Sequence, residues 1–149
     1  MLNNFRSIIL AMTSIFMFSA ATPALAAGGL SLADNKYVLQ ISEMNPATQN
    51  LVLNNAANLL QAYPPGAVTV EVVAYGPGLR LLFANNVHAK RIDALSQSGV
   101  RFSACNNTLN NMTKQLGYKP KLNPDATIVP GGVVRIGDLE KQGYAYIRP

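Results

Sequence analysis

Only one cysteine and one histidine occur in the 149 residues, and tryptophan is absent. A lone Cys105 excludes an intramolecular disulfide and any zinc site built on several thiolates, and a lone His88 excludes a multi-histidine cluster, so no metal is expected. No Gly-x-Ser-x-Gly occurs, and nothing in the sequence ties His88 to a serine, which removes the usual signals of a Ser/His/Asp hydrolase. Charged residues are scarce, at 13%, and the net charge is +5. The nearest thing to a basic cluster, Lys114, Lys119, Lys121 and Arg135, is interspersed with prolines and asparagines and lacks aromatic or arginine-rich repetition. That composition argues against nucleic acid and leaves a small anion as the charged partner.

The apolar run near the start is short. Residues 1–6 carry one basic side chain, residues 7–20 are mostly apolar, and Thr22-Pro23-Ala24-Leu25-Ala26 supplies a breaker and an Ala-x-Ala site. This is the layout of a secretory signal peptide. Thr13, Ser14 and Ser19 dilute the run below the roughly 20 apolar residues that span a bilayer, so no stable membrane insertion is expected after cleavage. The expected organisation is a signal at 1–26 and a single domain at 27–149, long enough for its own core, placed in the periplasm or secreted. An unpaired thiol in an oxidising compartment marks Cys105 as reactive or intermolecular.

The remaining chain alternates strand and helix patterns. Residues 37–41 are β-prone; Asn45-Pro46 caps and starts a helix whose Leu53, Ala56, Ala57 and Leu60 recur at helical spacing up to Pro64-Pro65-Gly66. Residues 67–74 (AVTVEVVA) are almost continuously apolar, as in a strand buried on both faces. Tyr75-Gly76-Pro77-Gly78 turns the chain, and residues 79–97 read as helical with a break near Asn85-Asn86. A third strand spans 100–104, and Cys105 follows it directly. Asn106 or Asn107 is expected to cap the next helix, with Leu109, Met112 and Leu116 on one stripe and Gly117 as its stop. Residues 126–129, a helix opened by Gly131-Gly132 and running through Gln142, and residues 144–147 complete the pattern. The expected fold class is α/β, a three-layer α/β/α arrangement around a mostly parallel sheet.

In such a sheet, chemistry collects at the carboxyl ends of the strands, where loops enter helix N-termini. Cys105 sits at such a corner, where unpaired N–H groups stabilise a thiolate; the plainer alternative is a buried apolar filler. Gly76 and Gly78 end the second strand on the same edge and are candidates for close ligand approach, although a turn explains them equally well. Arg80 is a candidate to meet an anion, or a surface residue. His88 is a candidate proton carrier, or a half-buried satisfied side chain. Asn106, Asn107 and Thr108 are candidate donors around the sulfur, with capping as the plainer role. Two sequons, Asn106-Asn107-Thr108 and Asn111-Met112-Thr113, lie so close to the thiol that a bacterial periplasm suits them better than a glycosylating host.

The span 37–149 resembles the DsrE/DsrF-like family of small sulfur-relay proteins. The resemblance is carried by VEVVAYGPGLRLL (70–82), by the helix running into SGVRF (98–102), and above all by GVRFSACNNTL (99–109), a Gly-Val strand followed by a cysteine opening a helix. It implies a three-layer α/β/α fold, homo-oligomers such as trimers or hexamers, and a cysteine that carries sulfur as a persulfide. Only Cys105 receives that role. A sulfur carrier of this kind exchanges with donor and acceptor proteins or small sulfur anions and requires no cofactor. The crowding of Leu79, Leu81, Leu82 and Phe83 on one helical turn points separately to burial between subunits. The rival function is a non-catalytic oligomeric module that binds a small ligand or a partner, with Cys105 structural. A thiol-dependent hydrolase or reductase lacks a base or a resolving cysteine.

Overall fold

The computed structural model describes residues 35–149; the expected signal peptide at 1–26 lies outside the described residues. Five strands, β1 (Asn35–Ile41), β2 (Val68–Ala74), β3 (Arg101–Cys105), β4 (Ala126–Val129) and β5 (Ala145–Ile147), form one sheet in the order β4-β3-β2-β1-β5. Every neighbouring pair is parallel. Helices α1 (Pro46–Ala62), α2 (Ala89–Gln97), α3 (Asn106–Leu116) and α4 (Gly132–Lys141) connect them in turn. This is the expected α/β class. Among the described residues no helix is long and apolar enough to cross a membrane.

Alternation along the strands builds two cores. Leu39 and Ile41, then Val70, Val72 and Ala74, then Phe102 and Ala104 face one side, where they pack with Val52, Leu53 and Ala56 of α1, Ile92 and Leu95 of α2, and Leu109 and Met112 of α3. The alternate residues Val38 and Val73 face the other side and meet Ile136 and Leu139 of α4, with Tyr144. Thus α1, α2 and α3 cover one face and α4 covers the other. Each fully buried Leu, Ile or Phe contributes about 1.5–3 kcal/mol of transfer free energy, so the larger cluster dominates stability.

Local signals explain the helix boundaries. The Asn45 side chain accepts a 2.8 Å hydrogen bond from the Ala47 N–H, and Pro46 fills the first helical position, as expected for α1. The expected helix over 79–97 is instead two elements. Gly76–Leu82 is a 3-10 helix, and α2 begins only at Ala89. Its start is set by Gly76, at φ +52°, and by Pro77. The Asn86 side chain donates to the Arg80 carbonyl at 2.9 Å and closes the far end. Leu79, Leu81 and Leu82 are fully buried in the chain's own core. Their crowding therefore reflects a plug within one subunit, and the inference of a subunit contact from this turn is corrected. Leu116, expected on the α3 stripe, is 37% exposed; the buried stripe ends at Met112, and Gly117 terminates the helix at φ +77°.

Candidate functional site

Cys105 is the last residue of β3 and also the N-cap of α3, so neither Asn106 nor Asn107 caps that helix, correcting the expectation from sequence. Strand alternation places it with Arg101 and Ser103 on the α4 side of the sheet. There it lines a cleft of about 270 Å³ with Tyr75, Asn107, Thr108, the α4 N-cap Gly131 and the first residues of α4, Gly132 to Val134. The residue is 5% exposed, so it is reached through this cleft and does not stand at the surface. The thiol itself closes no capping hydrogen bond.

The anion is favoured by its surroundings. Burial pushes the Cys105 thiol up, but the Thr108 hydroxyl and the backbone N–H groups of Thr108, Gly132 and Asn107 stabilise the thiolate, and the balance lies below the ordinary thiol value. The first turns of two helices thus border the cleft that holds the sulfur: Asn107 and Thr108 belong to α3, and Gly132 opens α4. Thr108 is itself oriented, because its Oγ1 accepts a 2.9 Å hydrogen bond from the Gly76 N–H. With the oxygen engaged as acceptor, the hydroxyl hydrogen is free to point at sulfur.

No protein-family model matches the chain, and no curated protein matches it. Among solved structures it is similar to MTH1491 from Methanobacterium thermoautotrophicum, a protein of unknown function, with a TM-score of 0.69 and 32% identity over 77% of this chain and 99% of that one. The chain belongs to the family of MTH1491. A second structure, BT1422 from Bacteroides thetaiotaomicron, also of unknown function, has a TM-score of 0.54 at 18% identity over 78% of this chain and 96% of that one, and it shares the fold.

In this member of the MTH1491 family the other candidate residues have separate fates. Gly76 serves the site indirectly, through Thr108. Gly78 offers no room to a ligand, since a Cβ there would stand 2.4 Å from the Ile41 carbonyl oxygen. Arg80 is absent from the cleft lining; its guanidinium lies over the Phe83 ring, 5.8 Å from the centroid. His88 is the N-cap of α2, half-buried and likewise away from the cleft. Asn107 lines the cleft and Asn106 does not.

Sequence reasoning missed three groups. Tyr75 forms one wall of the cleft, where burial first, and then the neighbouring Tyr146, push its phenol up. Gly132 reads from the sequence only as a helix start, yet it lines the cleft and its N–H is among the groups that lower the Cys105 thiol. Glu71 lies within a valine-rich run, yet it is fully buried and accepts from Arg135 Nε and Nη2 at 2.7 and 2.8 Å and from the Ser103 hydroxyl at 2.7 Å. Arg101 adds a further contact to the same carboxylate at 3.1 Å. Arg135 is therefore no member of a loose basic surface cluster. The available signal was Glu71 itself, one acid in an otherwise apolar strand, which demands a partner.

Gly132 is required by close approach. A Cβ there would sit 2.8 Å from Tyr75 Cβ and 2.9 Å from its Cδ1. Gly132→Ala is expected to cost roughly 1–3 kcal/mol and to lift the start of α4 from the cleft. The rate of Cys105 alkylation against pH in the folded variant should then show a higher midpoint than wild type. An unchanged midpoint would remove Gly132 from the site.

Proposed function

We propose that this protein is an exported sulfur carrier of the DsrE/DsrF-like kind, acting in the periplasm or outside the cell as a homo-oligomer, with Cys105 holding sulfur as a persulfide. The observation that supports the chemistry is a buried sulfur in a cleft bordered by the first turns of α3 and α4, whose N–H groups favour its thiolate. The resemblance of residues 99–109 supports the class and the assembly, and the secretory layout of residues 1–26 supports the export.

The thiolate attacks the outer sulfur of a sulfane donor such as thiosulfate or a persulfide. With thiosulfate, a bond forms between Cys105 Sγ and the sulfane sulfur while the sulfur–sulfur bond to the sulfonate breaks, and its electron pair leaves on sulfite. Cys105 then carries a persulfide anion. An acceptor thiolate attacks the terminal sulfur and returns the electron pair to Cys105 as thiolate. The same N–H groups that hold the free thiolate suit the anionic ends of both states.

The 5% exposure of Cys105 favours a second reading, a binding module in which the thiol only packs. Intact mass separates the two. After exposure to thiosulfate or polysulfide, the wild type should gain sulfur and lose it again with a reducing thiol, whereas Cys105→Ser should gain none while keeping its fold. A wild-type protein that gains no sulfur, and that alkylates only on unfolding, would establish the packing reading instead.

A further inference from the structure

We infer that the buried Glu71 carboxylate is a positioning group for Cys105, tying β3 and α4 together so that the start of α4 stands beside the thiol in the cleft they share. This deepens the reading of Cys105 as the working thiolate and rests on it. Glu71 stands on β2, the strand beside β3, and it holds both sides of the cleft. Through Oε1 it accepts from Ser103, two residues before Cys105 on the same face of the strand. Through both oxygens it accepts from Arg135, three residues after Gly132 in α4. One carboxylate thus fixes the strand that ends in the thiol and the helix whose start lines the cleft beside it.

Stability alone does not call for this arrangement. Glu71 interrupts the apolar strand VTVEVVA, and a buried ion pair is frequently no more stable than well-packed apolar residues in its place. What apolar packing lacks is direction. Val38, Val73, Ile136 and Leu139 would hold α4 against the sheet through a wide range of small slides, because the hydrophobic effect is non-directional. A bidentate guanidinium–carboxylate pair sets both distance and angle. It does so one turn from Gly132, the residue that brings the start of α4 into the cleft beside Cys105.

Among the described residues, the charged and titratable groups around Cys105 are few. Tyr75 at the end of β2 interacts with it directly, and Tyr146 and Arg148 act on Tyr75. Further down the same face stand Glu71, Arg135 and Arg101. This set makes the test decisive in sign. Removing the negative charge of Glu71 would, through space alone, favour the Cys105 thiolate and lower its titration midpoint. Loss of positioning does the opposite.

The experiment is the rate of Cys105 alkylation by a small neutral reagent, followed against pH on the folded full chain. Glu71→Gln is expected to raise the midpoint by about one unit, toward the free thiol value. Arg135→Lys keeps the charge and loses the bidentate fork, and it should raise the midpoint in the same direction; this variant decides the question if Glu71→Gln does not fold. Glu71→Asp, which keeps a carboxylate, should restore part of the wild-type profile. A midpoint that falls or stays unchanged in folded variants overturns the inference. Sulfur loading of the wild type is read separately by mass, so a protein that takes up no sulfur but shows the rise keeps the positioning role and loses only the carrier chemistry.

Discussion

Arg135→Met is expected to lower the free energy of unfolding by about 3 kcal/mol, and by more than Glu71→Gln, although the two substitutions break the same pair. The asymmetry follows from burial. Glu71 has no exposed side-chain surface, while Arg135 retains 32%. Taking away the arginine leaves a carboxylate inside the protein with only Ser103 and the more exposed Arg101 to hold it. Taking away the charge on Glu71 leaves an arginine that can turn to water, at a cost of about 1–2 kcal/mol for the lost charged hydrogen bonds. Urea unfolding of both variants measures the order, and an equal or reversed order would contradict it.

The same variants separate in acid. Burial alone would raise the Glu71 carboxyl, but its hydrogen bonds with Arg135 and Ser103 and the charges of Arg135 and Arg101 hold it below the ordinary carboxylate value. A depressed value means stability that is complete above the unfolded-state pKa of about 4.3 and lost as pH falls through the lower folded value. In Arg135→Met the largest lowering influences are gone, so the folded-state carboxyl rises toward or above its unfolded value, and the stability that Glu71 loses on acidification shrinks or reverses. Unfolding midpoints followed between about pH 3 and 6 should therefore fall less with acid in Arg135→Met than in wild type.

Gly78→Ala should be at least as damaging, at about 3 kcal/mol or more, for a steric reason. The added carbon would lie 2.4 Å from the Ile41 oxygen, 2.6 Å from its carbonyl carbon and 2.8 Å from Ser42 Cα. All three are backbone atoms, so no side chain can swing aside. The end of β1 would have to move, and with it the 3.1 Å hydrogen bond from the Tyr75 N–H to the Ile41 carbonyl. Gly137→Ala is the internal comparison, because nothing lies within 4 Å of its added carbon and it sits inside α4. That change should stabilise by about 0.5–1 kcal/mol through helix propensity. Thermal unfolding of the two variants checks both signs, and a mild Gly78→Ala would show that the approach to β1 is loose.

The parts of this fold that were legible in the sequence are those governed by neighbours in the chain. Asn45-Pro46 starts a helix, AVTVEVVA is a buried strand, and Cys105 falls at a strand-to-helix corner, because capping, alternation and turn chemistry act over a few residues. The 3-10 plug was misjudged because Leu79, Leu81 and Leu82 suit any tightly wound turn, and only their place against the sheet distinguishes one kind from another. The supports of the sulfur were illegible for a different reason. Glu71 and Arg135 are 64 residues apart, Gly76 and Thr108 32 apart, and neither pair leaves a periodic trace. Arg80 and His88 were attractive by type alone, and the topology carries them elsewhere.

The order of strands has a further consequence for how the thiol comes by its setting. The first three crossovers each step to the adjacent strand, whereas the last, through α4, carries the chain from β4 at one edge to β5 at the other. Residues from 131 onward therefore supply a wall to a cleft whose sulfur lies at 105. No fragment that stops short of α4 contains the full set of donors, however well its first four strands pair. The cysteine thus reports on completion of the chain: its folded-state chemistry belongs only to a molecule whose carboxyl-terminal end has already been laid across the sheet.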